Sequence, residues 1–400
     1  MKYLVVAEET KTGFSAYSPD LAGKLSKNPS SRLTSQRGIV ALLLILILFI
    51  GGMSMLFMAG GMGQTQRTEQ AATTRALAQA KELVIAFAVT NTHAFLLAGS
   101  PPTLKNRSTP GGLPFPDRGR FDGHGDCISD YLTFDPTRHL LGKWPHLSER
   151  GCGTIPHPPH PPRWPPAFGT PLRDGSGAVL WYAVARHLVK SSEPGRDSQY
   201  SIINTETIAA TPNNVWFSVF NEQGDKLTNR AAVVIMAPGP PLAGQNRIGS
   251  APASTHFLEG ITIANTTYTH HVIEDPDSGF VMRRSDDEFN DRLIYITIDE
   301  LMTAVAIRVA GEMKKALDAY HVNQTPPQYP ANRTGFKVAI NNYIAGNQGN
   351  RAWLAANDWV AITTYERTNL NVATLRFADC QILFTLTPGQ KIEHAPKSCK

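Results

Sequence analysis

Three aspartates in a glycine-rich segment are the residues of this chain whose spacing best suits a metal ion. Asp117, Asp122 and Asp126 lie between Gly112 and Cys127. Carboxylate oxygens on a flexible loop are ligands that calcium accepts, although the spacing lacks the glutamate that closes an EF-hand loop. We expect a solvated polar loop and no cofactor, with a calcium site formed by these three residues as the alternative.

Histidine and serine offer two further kinds of chemistry, and neither completes a known motif. Four histidines in or near a Pro-rich stretch could bind a transition metal: His124, His146, His157 and His160. The pair His270-His271 is interpreted as an exposed strand or loop. Ser176 lies in the sequence DGSG, which lacks the spacing of a nucleophile elbow. The chain also has no P-loop, dinucleotide fingerprint or zinc-protease motif, so we expect a protein that is not an enzyme.

The four cysteines fall into two local pairs. Cys127 and Cys152 flank a Gly- and Pro-rich stretch, whereas Cys380 and Cys399 lie near the C-terminus. Two local disulfides are the simplest pairing in an oxidising compartment, and each would restrict a loop by roughly 3 kcal/mol. Zinc is the weaker alternative because no Cys-x-x-Cys spacing is present.

An uncharged apolar run from Ile39 to Met62 determines where the rest of the chain lies relative to a membrane. The run contains no Asp, Glu, Lys or Arg, and it is long enough to cross a bilayer as one helix, since spanning takes roughly 20 apolar residues. Basic residues precede it: Lys24, Lys27, Arg32 and Arg37. By the positive-inside rule we expect a single-pass membrane protein with its N-terminus in the cytoplasm and its bulk exported.

The junction before this run resembles a type IV prepilin, with SQRG as the end of the leader and IVALLLILILFIGGMSMLFMAGGM as the apolar half of the pilin helix. The resemblance implies an inner-membrane protein that the prepilin peptidase cuts between Gly38, which follows Arg37, and Ile39, and then methylates at the new N-terminus. An ordinary signal anchor is the alternative. The membrane half would include Ile39, Leu43, Leu46, Phe49, Gly51, Gly52, Gly60 and Gly61.

Leu43 departs from the pattern of most major pilins, which have Glu at the fifth position after the cut. That carboxylate can pair with the terminal ammonium of a neighbouring subunit inside lipid, where an unpaired charge is costly. A chain without it resembles minor pilins and the tip pseudopilin of type II secretion. The resemblance therefore implies other pilins or pseudopilins, the prepilin peptidase and the inner membrane as partners.

Passages of the exported part also resemble a set of large pilin-like proteins of Gram-negative bacteria, in the same order. They are GLPFPDRGRFDGHGDC (112–127), PLRDGSGAVLWYAVA (171–185), VVIMAPGPPLAGQNR (233–247), FLEG (257–260) and DRLIYIT (291–297). Phe115 stands where a Cys is common in that set. This departure leaves the partner of Cys127 open, with Cys152 the nearest candidate.

Residues 1–23, MKYLVVAEETKTGFSAYSPDLAG, predict a β-hairpin. The segment resembles the opening hairpin of the HicB antitoxin family, and the resemblance ends after Gly23. A lone two-stranded hairpin is marginally stable in water. We interpret residues 1–38 as a cytoplasmic leader that is removed, and antitoxin activity is a remote alternative.

Hydrophobic periodicity predicts a helix from Gln64 to about Asn91 and a second from an N-cap at Thr297, with Glu300 completing a capping box, to about His321. Strands are predicted at Ala178–Val184, Val215–Phe220, Ala231–Met236, Leu293–Ile298, Trp359–Tyr365, Ala373–Phe377 and Gln381–Leu386. The predicted fold class is pilin-like α+β: a long N-terminal membrane-spanning helix packed on an antiparallel sheet, with two helix-on-sheet units as a variant.

The predicted organisation follows from these elements. The segments are 1–38 (leader), 39–62 (transmembrane half of the helix), 63–95 (its exported half), 96–296 (a β-rich domain with a Pro/His-rich loop at 100–170) and 297–400 (second helix and C-terminal strands). The expected function is that of a minor or tip subunit of a type IV pilus or type II secretion pseudopilus. A membrane-anchored periplasmic binding protein or enzyme is the alternative. The net charge of +5 on 400 residues, without a basic aromatic groove, disfavours nucleic acid.

Overall fold

The computed structural model describes most of the chain beyond the apolar run. It describes residues 65–90, 95–96, 104–105, 110–118, 122–125, 140–147, 167–189, 202–248, 253–271, 279–346, 351–394 and 399. These residues belong to one unit, Thr65–Lys400. Several predictions fall outside them, namely the hairpin at 1–23, Arg37, Gly38, Ile39, Leu43, Leu46, Phe49, Gly51, Gly52, Gly60, Gly61, Asp126, Cys127, Cys152, His157 and His160.

Helices and strands occur in a mixed order along the described chain. The helices are α1 (65–90), α2 (Thr205–Ala209), α3 (Ile298–Val322), α4 (Arg333–Gly346), α5 (Trp353–Ala356) and α6 (Trp359–Ile362). The strands are β1 (Phe95–Leu96), β2 (Leu104–Lys105), β3 (Leu140–Lys143), β4 (Trp181–Val184), β5 (Phe217–Asn221), β6 (Lys226–Ala237), β7 (Gly260–Ile263), β8 (Thr266–Thr269), β9 (Phe280–Met282), β10 (Arg292–Thr297), β11 (Thr363–Asn369), β12 (Val372–Phe377), β13 (Phe384–Leu386) and β14 (Glu393–His394). Short 3-10 turns occur at Arg186–Leu188, Asn213–Val215 and Ser254–His256.

The long strand β6 organises the larger sheet. It pairs antiparallel with β4 and β10 along its second half and with β5 along its first half. β3 extends the sheet beyond β4, and β9 extends it beyond β5. The second half of β6, from Ala231 to Ala237, is completely buried, which explains its continuous run of apolar residues because both faces of a covered sheet are dry.

The helix predicted after the apolar run is confirmed as α1. It contains no Gly or Pro, and its buried positions recur every three or four residues. They are Thr73, Ala76, Leu77, Ala80, Val84 and Ala88. Because most of these side chains are small, the helix axis can lie close to the residues beneath it.

The predicted fold class is wrong for the part of the chain that the structure describes. No helix there is long and apolar enough to cross a membrane. Charged residues occur throughout α1, namely Arg67, Glu69, Arg75, Lys81 and Glu82, and their burial in hydrocarbon would be costly. β9 pairs with β5 in parallel, so the larger sheet is mixed. In place of a membrane-spanning helix on an antiparallel sheet, the described residues form a mixed α/β structure with several sheets.

The second predicted helix is confirmed as α3. The Thr297 hydroxyl accepts a hydrogen bond from the backbone N–H of Glu300 at 3.1 Å, as expected of an N-cap. The Glu300 carboxylate instead pairs with Lys81 of α1 at 2.8 Å. α3 packs on β6 and β10 and contacts α4, which in turn contacts β11.

The C-terminal strands form a separate antiparallel sheet in the order β11, β12, β13, β14. The strand predicted at Trp359–Tyr365 is wrong in its first half, where Trp359–Ile362 form a helical turn before β11 begins. One cluster of buried apolar residues nevertheless includes side chains of α1, both larger sheets and α3.

Candidate functional site

The loop considered as a calcium site is organised by contacts with backbone groups. Asp117 is 1% exposed, and its Oδ2 accepts a hydrogen bond from the Gly123 N–H at 2.7 Å. Asp122 is exposed and accepts one from the His124 N–H at 3.2 Å. The ring of His146 lies against Gly123, and the backbone N–H of His146 donates to the Gly123 carbonyl at 2.9 Å. Within the described ranges, no group of three or more His, Cys, Asp or Glu could hold a metal ion.

The DGSG segment is a tight turn built by Asp174. Its Oδ1 accepts hydrogen bonds from the Ser176 N–H at 2.9 Å, the Ser176 hydroxyl at 2.6 Å and the Ala178 N–H at 3.0 Å. Its Oδ2 accepts one from the Gly239 N–H at 2.9 Å. Because the Ser176 hydroxyl donates a hydrogen bond to Asp174, it stabilises the turn.

This turn is also hydrogen-bonded to α1. The Gly175 N–H donates to the Thr73 hydroxyl at 2.9 Å. Farther along, Arg292 of β10 donates to the Gln70 carbonyl at 3.1 Å and to the Thr74 hydroxyl at 3.0 Å. Hydrogen bonds from the turn and from β10 therefore add to the apolar contacts of the helix.

A buried acid–histidine cluster, composed of Glu259, His270 and Asp291, lies at the base of the β7–β8 hairpin. Asp291 and His270 are 1% and 0% exposed. His270 Nδ1 lies 2.9 Å from Asp291 Oδ2, which also accepts a hydrogen bond from the Glu259 N–H at 3.0 Å. In return, Glu259 Oε2 accepts one from the Asp291 N–H at 3.0 Å. Each carboxyl group thus binds the backbone of the other residue.

The hydrogen bonds of His270 define its tautomer. Its Nε2 accepts a hydrogen bond from the Val281 N–H at 2.9 Å, so the proton must lie on Nδ1, which donates to Asp291. Burial lowers the pKa of His270 to about 4. With both ring nitrogens occupied and the ring neutral, His270 cannot accept a proton from a substrate without breaking this arrangement. The cluster therefore holds backbone segments together.

Burial also changes the acidity of the two carboxyl groups. It raises the pKa of Asp291 to about 8, against hydrogen bonds from Glu259 and the charge of Arg247. Burial and the neighbouring Asp291 raise the pKa of Glu259 to about 7. Burying two neighbouring negative charges is costly, so the carboxyl groups of Glu259 and Asp291 together hold one proton near neutral pH.

Arg247 and Gln245 join this cluster to the segment after β6. Gln245 Nε2 donates to Glu259 Oε1 at 2.6 Å, and Arg247 donates to Gln245 Oε1 at 2.8 Å. The Arg247 guanidinium also donates to the carbonyls of Gly239 at 2.7 Å and His256 at 2.9 Å. Since these donors are directed at backbone carbonyls, Arg247 holds the loop that precedes the hairpin.

Sequence reasoning missed this cluster. The interpretation of His270-His271 as an exposed pair is wrong for His270, which is completely buried. One local signal points inward: Tyr268 and His270 alternate with Thr267 and Thr269, so they share a face of a strand. Asp291 and Glu259 give no comparable signal because their partners are distant in sequence.

The C-terminal cysteine pair is placed as the sequence predicts. Cys380 and Cys399 form a disulfide across a separation of 19 residues, and both are buried. The Cys399 N–H donates to the Thr303 hydroxyl of α3 at 3.1 Å. The disulfide and this hydrogen bond hold the end of the chain against α3 and the turn after β12.

Known proteins give no assignment for these features. None of the protein families, curated proteins or solved structures compared with the chain matches it.

Proposed function

We propose that this chain is a minor or tip subunit of a type IV pilus or a type II secretion pseudopilus. It is processed after Gly38 by the prepilin peptidase and anchored in the inner membrane through Ile39–Met62, with the bulk of the chain in the periplasm. Its role is structural, through contacts with other pilins or pseudopilins. Leu43, in place of a glutamate, assigns it to a low-copy position.

The observation that carries this proposal is the convergence of separate passages on one polar network. Four of the passages that resemble large pilin-like proteins supply it: 171–185 through Asp174, 233–247 through Gly239, Gln245 and Arg247, 257–260 through Glu259, and 291–297 through Asp291. Buried polar groups must all be satisfied together, so related chains are expected to retain them as a set. The joint use of these four passages in one structural feature supports the proposal.

Two further features support a structural role. In the acid–histidine cluster, His270 Nδ1 is hydrogen-bonded to the Asp291 carboxyl group and Nε2 to the backbone N–H of Val281, which leaves His270 without a nitrogen for catalysis. The outward face of α1 is polar and exposed at Glu69, Arg75 and Glu82, and such a face is suited to contacts with neighbouring subunits or solvent.

Mass spectrometry of the mature N-terminus tests the proposal. In cells with the prepilin peptidase we expect a chain that begins with N-methyl-isoleucine at position 39. In cells without the peptidase we expect the unprocessed chain. Gly38→Val should block processing, whereas Ser35→Ala, in the same leader, should leave it unchanged.

An identical mass with and without the peptidase would overturn the proposal. In that case a chain anchored as a stand-alone binding protein or enzyme becomes the better account. Co-purification of the processed chain with pilins or pseudopilins, lost in Gly38→Val, would extend the test from processing to assembly.

A further inference from the structure

The β7–β8 hairpin is held to the rest of the molecule without strand pairing. Among the described residues, β7 pairs only with β8. Ala264 and Asn265, with φ of 47° and 68°, form the two-residue turn between the strands. Both strands are largely exposed. Since an isolated two-stranded hairpin is marginally stable in water, other contacts must keep it in place.

The two ends of the hairpin supply those contacts. Glu259 directly precedes β7, and His270 directly follows β8. The His270 N–H donates to the Glu259 carbonyl at 2.9 Å, which closes the base of the hairpin. Tyr268 adds an apolar contact, since its ring lies 4.8 Å from that of Phe220 on β5.

Asp291 connects this base to the larger sheet. It directly precedes β10, and its Oδ2 accepts hydrogen bonds from His270 Nδ1 and from the Glu259 N–H. Asp291 Oδ1 is buried and has no hydrogen-bond partner among the residues that the structure describes. Both oxygens of Glu259 accept hydrogen bonds. The proton that the pair holds therefore belongs on Asp291 Oδ1, because no donor among the described residues binds that oxygen.

We infer that the β7–β8 hairpin is a pH-sensitive arm, held against the body while Asp291 carries a proton and released as that proton is lost. Deprotonation places a second negative charge beside Glu259 in a buried site. Among the described residues the hairpin has no strand partner, so the repulsion between the two carboxylates is relieved by moving the base of the hairpin away from Asp291.

Charged and titratable groups surround the cluster on several sides. The charge of Arg247 interacts with the carboxyl groups of both Glu259 and Asp291. Lys143 of β3 and Asp174 of the DGSG turn act on Arg247 with opposite signs. His271, whose pKa is lowered chiefly by burial, lies beside His270 and Glu259. A single partly buried arginine, already bound to backbone carbonyls, cannot neutralise two carboxylates.

The direction of the pH effect follows from linkage. The pKa of Asp291 is raised to about 8 from 3.8, so the closed state keeps a proton that the open state loses. The stabilisation is complete below the pKa of the open state and disappears as pH rises through about 8. Between pH 7 and pH 8 the equilibrium constant for opening should therefore rise about fivefold, because the closed state itself begins to lose the proton near pH 8, and then level off. His270 does not interfere there, because it is neutral in both states above pH 7.

Hydrogen exchange of the full chain in detergent micelles tests this inference. Mass spectrometry would follow peptides that cover 260–269 and, as an internal reference, 231–237 of β6, with rates corrected for intrinsic exchange. We expect the corrected rate of the hairpin peptide to rise about fivefold from pH 7 to pH 8, while the reference peptide does not change.

Three variants separate the proton from other causes. Asp291→Asn has the shape and charge of the protonated acid and should remove the rise between pH 7 and pH 9. Asp287→Asn, at a nearby exposed position, should behave as wild type. Tyr268→Ala should increase opening at every pH and retain the same slope. A hairpin rate that is constant from pH 7 to pH 8, or an Asp291→Asn slope equal to that of wild type, would overturn the inference.

Discussion

The Thr73 hydroxyl of α1 accepts a hydrogen bond from the backbone N–H of Gly175 at 2.9 Å, which joins the helix to the DGSG turn. The approach is close enough that a Cβ added at Gly175 would overlap the carbonyl oxygen of Glu69. Neither segment can shift easily, because the turn is held by the hydrogen bonds of Asp174 and the helix is held by its buried face.

Gly175→Ala should therefore destabilise the protein by about 1–3 kcal/mol, the usual cost of overpacking. The loss should be visible as a lower free energy of unfolding in urea. Gly311→Ala is the matched control, since nothing lies within 4 Å of the added Cβ at that helical position. Alanine there should raise stability by up to about 1 kcal/mol. Equal effects of the two substitutions would contradict the close contact.

Glu312 is a buried carboxylate that binds three cations and a tyrosine. Lys315, Arg351 and the Tyr343 hydroxyl contact it at 2.8, 3.2 and 3.3 Å, and Arg308 forms a fourth contact. Glu312→Gln should cost about 1.5–3 kcal/mol, as expected for hydrogen bonds to a charged group. Glu366→Gln, on an exposed position of β11, should change the free energy of unfolding by less than about 0.5 kcal/mol.

The pH dependence of the same variant gives a second check. Burial would raise the pKa of Glu312, but hydrogen bonds and charges from Lys315 and Arg308 outweigh it and lower the pKa to about 2. A lowered pKa contributes stability above the unfolded value of 4.5, and this stability is lost as pH falls toward 2. The difference between wild type and Glu312→Gln should thus shrink from pH 6 to pH 2. A constant difference would exclude a charged Glu312 as its source.

Arg230 forms a two-pronged ion pair with Asp299 in the first turn of α3. The Nε–Oδ2 and Nη2–Oδ1 distances are 2.9 and 2.7 Å. Arg230→Lys keeps the charge and loses the paired geometry, so we expect a loss of about 1–2 kcal/mol in the free energy of unfolding. Arg284→Lys, at an exposed position, serves as control. If both variants unfold like wild type, the pairing contributes charge alone.

The Cys380–Cys399 disulfide closes a short C-terminal loop. Cys380→Ala with Cys399→Ala should lower the free energy of unfolding by about 3 kcal/mol, from the loop-closure entropy of the unfolded chain. Urea unfolding without reductant provides the measurement. A double variant as stable as wild type would mean that the contact of Cys399 with Thr303 and the surrounding packing suffice.

Local signals in the sequence predicted much of the secondary structure. Thr297 and Glu300 mark the start of α3 because an N-cap is a contact between residues three apart. Apolar β-branched residues similarly located β6 and β10. α4 was missed, although Asn332 follows a Pro-rich stretch and its side chain accepts a hydrogen bond from the Gly335 N–H at 3.0 Å. That N-cap was the available signal.

Local sequence patterns did not predict the contacts between residues that are distant in sequence. The parallel pairing of β9 with β5 joins segments that share no turn, and no periodicity reports it. The meeting of Glu259, His270 and Asp291 depends on the hairpin folding back on β10, so His270 alone is an ordinary histidine. The Glu300 carboxylate was expected at its own helix end and instead binds Lys81 because α1 lies beside it.

α3 is buried on nearly every side, and its apolar residues belong to the same core as β6 and the C-terminal strands. Because α3 contributes side chains to a core that both sheets share, neither sheet can unfold without exposing apolar surface of the other. The described part of the chain should consequently melt in a single cooperative transition. Replacing the C-terminal strands as a unit would therefore also require a new set of side chains on the part of α3 that packs against them.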